Sequence, residues 1–328
     1  MARVAVDLIG EGLPPEDLLD ELAAALDLDP RLTLTVVAPT ASVESALAAG
    51  GVLSGGRCQL VNAARGVAAG PEALSEVRAR RDSGVRVAAR LVRDGQADAM
   101  VSVAPLEAVL AAARFTLGLV RGATRTAAAA VLGSVSSPVV LCDAGGSVDV
   151  TADELAQFAL SGARYATACH GVVSPRVGLL SARPALQDQL RRSAGDLLSS
   201  LGLHFVGPVT ADRLRTGAGV DVVVTDGFTG DVVLAALGQR AASTWVGSDP
   251  ASPPAVGSEL QGGMIVLGVD GTAVQVVRPC AAGPGRAGDL SAAVGAAAGA
   301  VRGGLAGSVR DAMATLVERR RELAGLSR

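Results

Sequence analysis

Residues Gly219–Leu234 read GVDVVVTDGFTGDVVL, and the order of residue types in this stretch decides the fold. Val220–Thr225 is apolar without alternation, the pattern of a strand covered on both faces. Asp226 ends the strand, Gly227 permits a tight turn, and Thr229-Gly230 open a helix expected over Val232–Ala241. A helix that starts at a strand end offers its first N–H groups to an anion, a phosphate or an oxyanion. The plainer reading of the same residues is a βα turn in which Asp226 acts as a local cap, a device common to many α/β proteins.

The same grammar runs outward in both directions. Strands are expected at Arg3–Ile9, Leu32–Val37, Ala97–Ser102, Val139–Asp143, Arg176–Leu180, Met264–Leu267 and Ala273–Val277. Between them lie helical patterns from Glu16, after Thr40, and over Val85–Arg93, Ala152–Ala166, Ala185–Leu201 and Leu290–Leu323. Val269-Asp270-Gly271 is a hairpin signal. Continuously apolar strands that alternate with helices predict a three-layer αβα protein with a mostly parallel sheet. Residues 247–263 (GSDPASPPAVGSELQGG) form a Pro/Ser/Gly-rich loop.

Ligands of such sheets bind at the carboxyl ends of the strands, which directs attention to five turns. They are Asp7-Leu8-Ile9-Gly10, Ser102–Pro105, Asp143-Ala144-Gly145-Gly146-Ser147, Thr225–Gly230 and Gly283–Gly288. The last matches G-x-G-x-x-G, yet no acidic residue follows at ribose distance and Pro284 lacks an N–H. A dinucleotide site is rejected; Arg286 can still present a planar fork to a phosphate. Cys169-His170 resembles a nucleophile–base pair, but adjacent residues point apart, so a structural role is expected. His204, in the apolar run LHFV, is expected to be semi-buried. Glu318-Arg319-Arg320-Arg321-Glu322 places cations at a helix end, where the dipole favours them, as a solvated terminus.

Composition removes several classes of function. The 328 residues contain no lysine, so Schiff-base and lysine general-base chemistry are excluded. A net charge of −3 and 2% aromatics argue against nucleic acid, which needs excess positive charge and stacking rings. Cys58, Cys142, Cys169 and Cys280 are scattered without C-x-x-C spacing, which suits reduced buried thiols. Two histidines cannot build a His-rich metal cluster. Acidic residues interrupt the opening apolar stretch, and no apolar run reaches bilayer length. A cytoplasmic protein without a signal peptide or a transmembrane segment is therefore expected.

Read in order, the strand ends resemble the PlsX-type phosphate acyltransferase family. VAVDLIG is similar to its opening I-A-x-D-A-M-G-G-D, and VVLCDAGGSVD to its D-x-G-A-N turn. PRVGLLS, TDGFTG and LGVDG are similar to its P-R-V-x-L-L-N, D-G-F-x-G-N and L-L-G-V-D-G segments, in the family's order. The chain departs from the pattern at Glu11, Gly12, Pro105-Leu106-Glu107, Ser147, Ser181, Arg183-Pro184-Ala185, Asp231 and Ala235. The histidine of the family's H-G-S-S motif is missing around Val277–Ala281. Residues 247–263 stand where the family carries a longer helical stretch associated with membrane contact and carrier docking.

The resemblance implies one α/β domain over 1–328, or two lobes around a cleft, of the isocitrate dehydrogenase/phosphotransacetylase-like fold. It implies acyl phosphate formation from an acyl carrier protein thioester and inorganic phosphate, for fatty acid and phospholipid synthesis. A non-catalytic paralogue serving as a binding or dimer-partner module is the alternative. It implies a homodimer and no cofactor or metal. Carried over by position, the substrate- and phosphate-binding residues are Asp7, Gly10, Ser102, Asp143, Gly145, Ser147, Asp226, Gly227, Thr229, Gly230, Asp270, Gly271 and Arg286. Arg278 and Arg286 are candidates to replace lost cations, and no catalytic residue is assigned.

Overall fold

A computed structural model describes residues 1–10, 14–49, 56–134, 137–183, 185, 188–237, 263–277 and 289–326. The chain forms two compact units. The first comprises Met1–Gly118, Gly262–Arg278 and Ala282–Gly303; the second comprises Leu119–Gln261, Pro279–Ala281 and Gly304–Arg328.

The first unit begins with β1 (Ala2–Asp7), a single 3-10 turn (Pro15–Leu18), α1 (Leu19–Leu28), β2 (Leu32–Ala38), α2 (Thr40–Ala49) and β3 (Cys58–Asn62). It continues through α3 (Ala73–Ala79), α4 (Gly84–Arg93), β4 (Ala99–Ser102) and α5 (Leu106–Thr116). The second unit then supplies β5 (Ala127–Ser134), β6 (Ser137–Cys142), α6 (Ala152–His170), β7 (Arg176–Leu180), α7 (Gln189–Ser199) and β8 (His204–Val209). It adds α8 (Asp212–Thr216), β9 (Val222–Val224) and α9 (Gly227–Ala236). The chain returns to the first unit as β10 (Met264–Leu267), β11 (Ala273–Gln275) and α10 (Asp289–Arg302), and ends in the second as α11 (Leu305–Leu326).

In the first unit the strands lie in the order β3-β2-β1-β4-β11-β10. All of these pairs are parallel except β10–β11, the hairpin signalled by Val269-Asp270-Gly271. In the second unit the order is β5-β6-β9-β7-β8, parallel except for β5–β6. The mostly parallel α/β sheet expected from the sequence is therefore present. Its central strands are covered on both faces, as their uninterrupted apolar runs require; all four residues of β4 and all three of β9 are buried.

With so few aromatic rings, close approach of small side chains fills the interior. Ala127–Ala130 of β5 are each 1% exposed or less, and Gly162 of α6 would place a Cβ 3.0 Å from Val222. Helix α6 has sharp ends for local reasons: Thr151 and Glu154 form a reciprocal capping box, and Gly171 ends it at φ 69°. Arg320 of α11 donates to Asp153 and to the Gly122 carbonyl, so the arginine-rich tail is tied down rather than fully solvated. Among the described residues no single helix is long and apolar enough to cross a membrane.

Candidate functional site

In the second unit the carboxyl ends of the adjacent parallel strands β6 and β9, beside that of β7, gather the expected polar residues Asp143, Ser147, Asp226 and Thr229. Asp143 follows β6 and is fully buried. Its Oδ1 accepts from Ala128 N at 2.8 Å and Gly146 N at 2.9 Å, and its Oδ2 from the Ser147 hydroxyl at 2.7 Å. Burial raises its pKa, while these hydrogen bonds pull in the other direction. Ser147 in turn accepts from Gly227 N at 3.2 Å, which joins the β6 turn to the β9 turn.

Gly227 and Gly230 are required by this contact. A Cβ on Gly230 would overlap the Asp143 carbonyl oxygen, and one on Gly227 the backbone of Ser147. Gly145 has φ 122°, a conformation that favours glycine. Helix α9 accordingly starts at Gly227, five residues before the start expected from its apolar residues.

The start of α9 also corrects the expectation of free N–H groups. Asp226 is the N-cap: Oδ1 accepts from Thr229 N and Oδ2 from the Thr229 hydroxyl, both at 2.8 Å. Gly227 N is committed to Ser147, and Gly230 N bonds the Asp226 carbonyl. The plain βα-turn reading of Asp226 thus holds for its own side chain. The positive end of the helix remains, with Phe228 64% exposed beside it.

Sequence reasoning missed one residue of this cluster. Arg191 near the start of α7 is 20% exposed and directs Nη2 to Asp226 Oδ2 at 3.4 Å. Its Nε donates to the carbonyl of Leu180, the last residue of β7, at 2.9 Å, and a further nitrogen pairs with Asp188. Asp188 caps α7 by accepting from Arg191 N at 2.8 Å, and that bond, with the arginine's charge, lowers its pKa. The signal was an Asp-x-x-Arg at a helix start behind a strand. It marks a cap, but it does not reveal the contact with a residue 35 positions away.

The first unit has a second strand-end cluster. Asp7 and Ser102 are directly paired across β1 and β4, and both are fully buried. Ser102 donates to Asp7 Oδ2 at 2.7 Å, Ile9 N to Oδ1 at 3.1 Å, and Ala104 N to the Ser102 oxygen at 3.1 Å. Burial pushes the Asp7 carboxyl up to about 7. Gly84, which opens α4, has no room for a Cβ because Asp7 Oδ1 occupies that place. Gly10 stands against the Val103 carbonyl, so Asp7, Gly10 and Ser102 are neighbours.

Other expected residues fall elsewhere. Asp270 and Gly271 lie in the β10–β11 turn, which precedes β11; because β11 runs parallel to β4, that turn is at the amino end of the sheet, away from Asp7 and Ser102. Cys169 and His170 form no dyad: burial pushes the thiol up to about 12 and lowers the His170 pKa, and the imidazole packs edge-on against Tyr165 at 5.1 Å. His204, expected to be semi-buried, stands exposed on β8. Cys58 and Cys142 are free and buried. Arg278, Arg286, Cys280, the G-x-G-x-x-G stretch, Glu11 and Gly12 lie outside the described residues, as do 247–262 of the Pro/Ser/Gly loop.

The profile of the family described as "Fatty acid synthesis protein" matches residues 2–244. Phosphate acyltransferase from Pseudomonas syringae pv. syringae (strain B728a) is 34% identical over 236 residues, 70% of this chain and 68% of that protein. Phosphate acyltransferase from Pelotomaculum thermopropionicum is 32% identical over 294 residues, covering 83% and 85%. Among solved structures, a phosphotransacetylase from Streptococcus pyogenes superposes with a TM-score of 0.62 at 18% identity, over 91% of this chain and 93% of that one. A branched-chain phosphotransacylase from Enterococcus faecalis V583 gives 0.59 at 14% identity, over 90% and 99%. The fold is that of the phosphotransacetylases, and the chain belongs to the fatty acid synthesis protein family, in which its relatives are phosphate acyltransferases.

Proposed function

We propose that this protein is a phosphate acyltransferase that makes an acyl phosphate from an acyl carrier protein thioester and inorganic phosphate. The observation that carries the reading is the cluster at the ends of β6, β9 and β7. There a half-buried arginine, two carboxylates and a helix start meet in a chain without lysine.

In this reading a phosphate oxygen attacks the thioester carbonyl carbon. A tetrahedral oxyanion forms and collapses, the carbon–sulfur bond breaks, and the departing sulfur takes the proton that hydrogen phosphate carried. The products are an acyl phosphate and the free thiol. Phosphate needs a cation and fixed donors, and Arg191 supplies a planar fork. Asp226, Asp188 and the Leu180 carbonyl hold that fork in orientation, and the positive end of α9 favours the developing oxyanion. Asp143 and Ser147, with Gly145, Gly227, Thr229 and Gly230, fix the two turns on which this geometry depends. Asp7, Gly10 and Ser102 are proposed to fix a substrate-binding turn of the first unit in the same way. A homodimer in the cytoplasm, serving phospholipid synthesis, completes the proposal on the strength of the family resemblance.

The test is turnover of the purified protein with acyl carrier protein thioester and phosphate. Acyl phosphate is trapped as a hydroxamate, and released thiol is counted. Phosphate-dependent hydroxamate with one thiol per acyl group is the expected result. Carrier binding without turnover overturns the reading in favour of the non-catalytic paralogue.

A further inference from the structure

The candidate site leaves a strongly charged surface of the first unit unexplained. Residues Arg78–Arg93 (RARRDSGVRVAARLVR) hold six arginines and one acid, in a chain whose net charge is −3. They span the end of α3, the turn and α4. Arg86, Arg90 and Arg93 recur at helical spacing on one face of α4, and Arg78 and Arg81 stand exposed beside them.

Only part of this charge is answered within the protein. Arg80 pairs with Glu76, and Arg93 with Asp94. Arg78 lies over the Phe115 ring at 4.7 Å. Among the described residues Arg81, Arg86 and Arg90 meet no carboxylate. Arg86 and Arg90 instead donate to the carbonyls of Val77 and Arg81 at the end of α3, and Arg86 Nε is buried without an acceptor among the described residues. The pKa of Arg86 is lowered, first by burial and then by the like charges of Arg90, Arg81 and Arg93. Like charges are therefore held together, a local cost that an acidic partner would relieve.

The arrangement selects the class of partner. Arg86 to Arg93 extends about 10 Å along the helix, too far for one phosphate to span. The apolar content beside it is sparse: Leu74 is half-exposed, and Phe115 lies under Arg78. A bilayer-inserting surface would carry more, and a nucleic-acid surface would offer exposed rings for stacking. What remains is a protein face lined with carboxylates. The same helix begins at Gly84, against Asp7, so the charged face and the first unit's strand-end cluster share α4.

We propose that the α3–α4 arginine face of this protein is the docking surface for the acyl carrier protein, which would meet it through a carboxylate-lined face of its own. This rests on the acyltransferase reading for the partner's identity but not for the surface's existence. It is tested with Arg81→Glu/Arg93→Glu, two exposed side chains outside the strand-end clusters, and with Arg81→Lys/Arg93→Lys, which keeps the charge. Folding is verified by circular dichroism and thermal melting.

Binding of purified acyl carrier protein is measured by fluorescence anisotropy, independently of turnover, so a catalytically silent protein still gives an answer. The double glutamate variant is expected to raise Kd and the KM for carrier thioester roughly tenfold or more. The KM for phosphate and turnover with a short acyl-pantetheine should not change, and the lysine variant should stay near wild type. Wild-type binding should weaken as salt rises. Unchanged carrier affinity in a folded glutamate variant overturns the proposal. So does a variant that keeps carrier affinity but loses sedimentation with phosphatidylglycerol vesicles, which would assign the face to a membrane.

Discussion

Two buried aspartates at strand ends, Asp7 in the first unit and Asp143 in the second, look interchangeable in sequence and differ in the structure. Each is fully buried, accepts a serine hydroxyl at 2.7 Å, and faces the glycine that opens a helix. Asp143 also accepts backbone N–H groups from Ala128 on β5 and from Gly146 in its own turn, whereas Asp7 accepts one, from Ile9. Asp143 therefore fastens β5 to its own turn and, through Ser147, to the β9 turn, whereas Asp7 is a carboxyl with one backbone donor and one hydroxyl. A buried charge is tolerated in proportion to the donors aimed at it. Donor count separates the fastening group from the one poised to change its protonation.

The comparison predicts unequal penalties. Asp143→Ala leaves two backbone N–H groups and a hydroxyl without their acceptor, which should cost about 4 kcal/mol in urea unfolding. Asp7→Ala, which strands fewer donors, should cost about 2 kcal/mol. Equal losses would dissolve the distinction.

The glycines sharpen it. At Gly230 the obstructing atom is the Asp143 main-chain oxygen, which the sheet fixes; at Gly84 it is the Asp7 side-chain oxygen Oδ1, which must give up its hydrogen bond from Ile9 N to make way. Gly230→Ala should lower stability by about 3 kcal/mol and Gly84→Ala by about 1 kcal/mol. Thermal unfolding of the two variants checks the order.

A third consequence concerns pH. The Asp7 carboxyl is raised from 3.8 to about 7 in the folded protein, so above the ordinary carboxylate range the unfolded chain has released a proton that the folded one retains. Its contribution to stability is fully present below the unfolded pKa and is lost as pH rises through the folded one. Wild type should lose roughly 2 kcal/mol between about pH 5 and pH 7 relative to Asp7→Asn. Parallel stability profiles for the two proteins would show that Asp7 is ionised throughout.

Legibility of the sequence followed the same physics. The β9–α9 stretch could be read because Val222–Val224 is a β-branched run closed by Asp226 and Gly227. Strand β5 was not foreseen, because four alanines carry no strand preference and the strand exists through its pairing with β6. The sequence pattern puts the start of α9 late because Gly227 and Gly230 read as turn formers; their need arises only from the Asp143 turn lying against them. Asp143, Ser147 and Asp226 were legible as strand-end residues. Arg191 was not, since the geometry that brings it to Asp226 comes from neighbouring strands β7 and β9 rather than from any local pattern.

The central claim is that Arg191, held by Asp226, binds the phosphate of a phosphate acyltransferase. The most direct measurement is the phosphate dependence of acyl phosphate formation for wild type, Arg191→Lys and Arg191→Ala, with folding verified by melting. The account predicts a KM for phosphate raised roughly tenfold or more in the alanine variant, partly restored by lysine, with the KM for carrier thioester unchanged. A folded alanine variant with a wild-type KM for phosphate would contradict it.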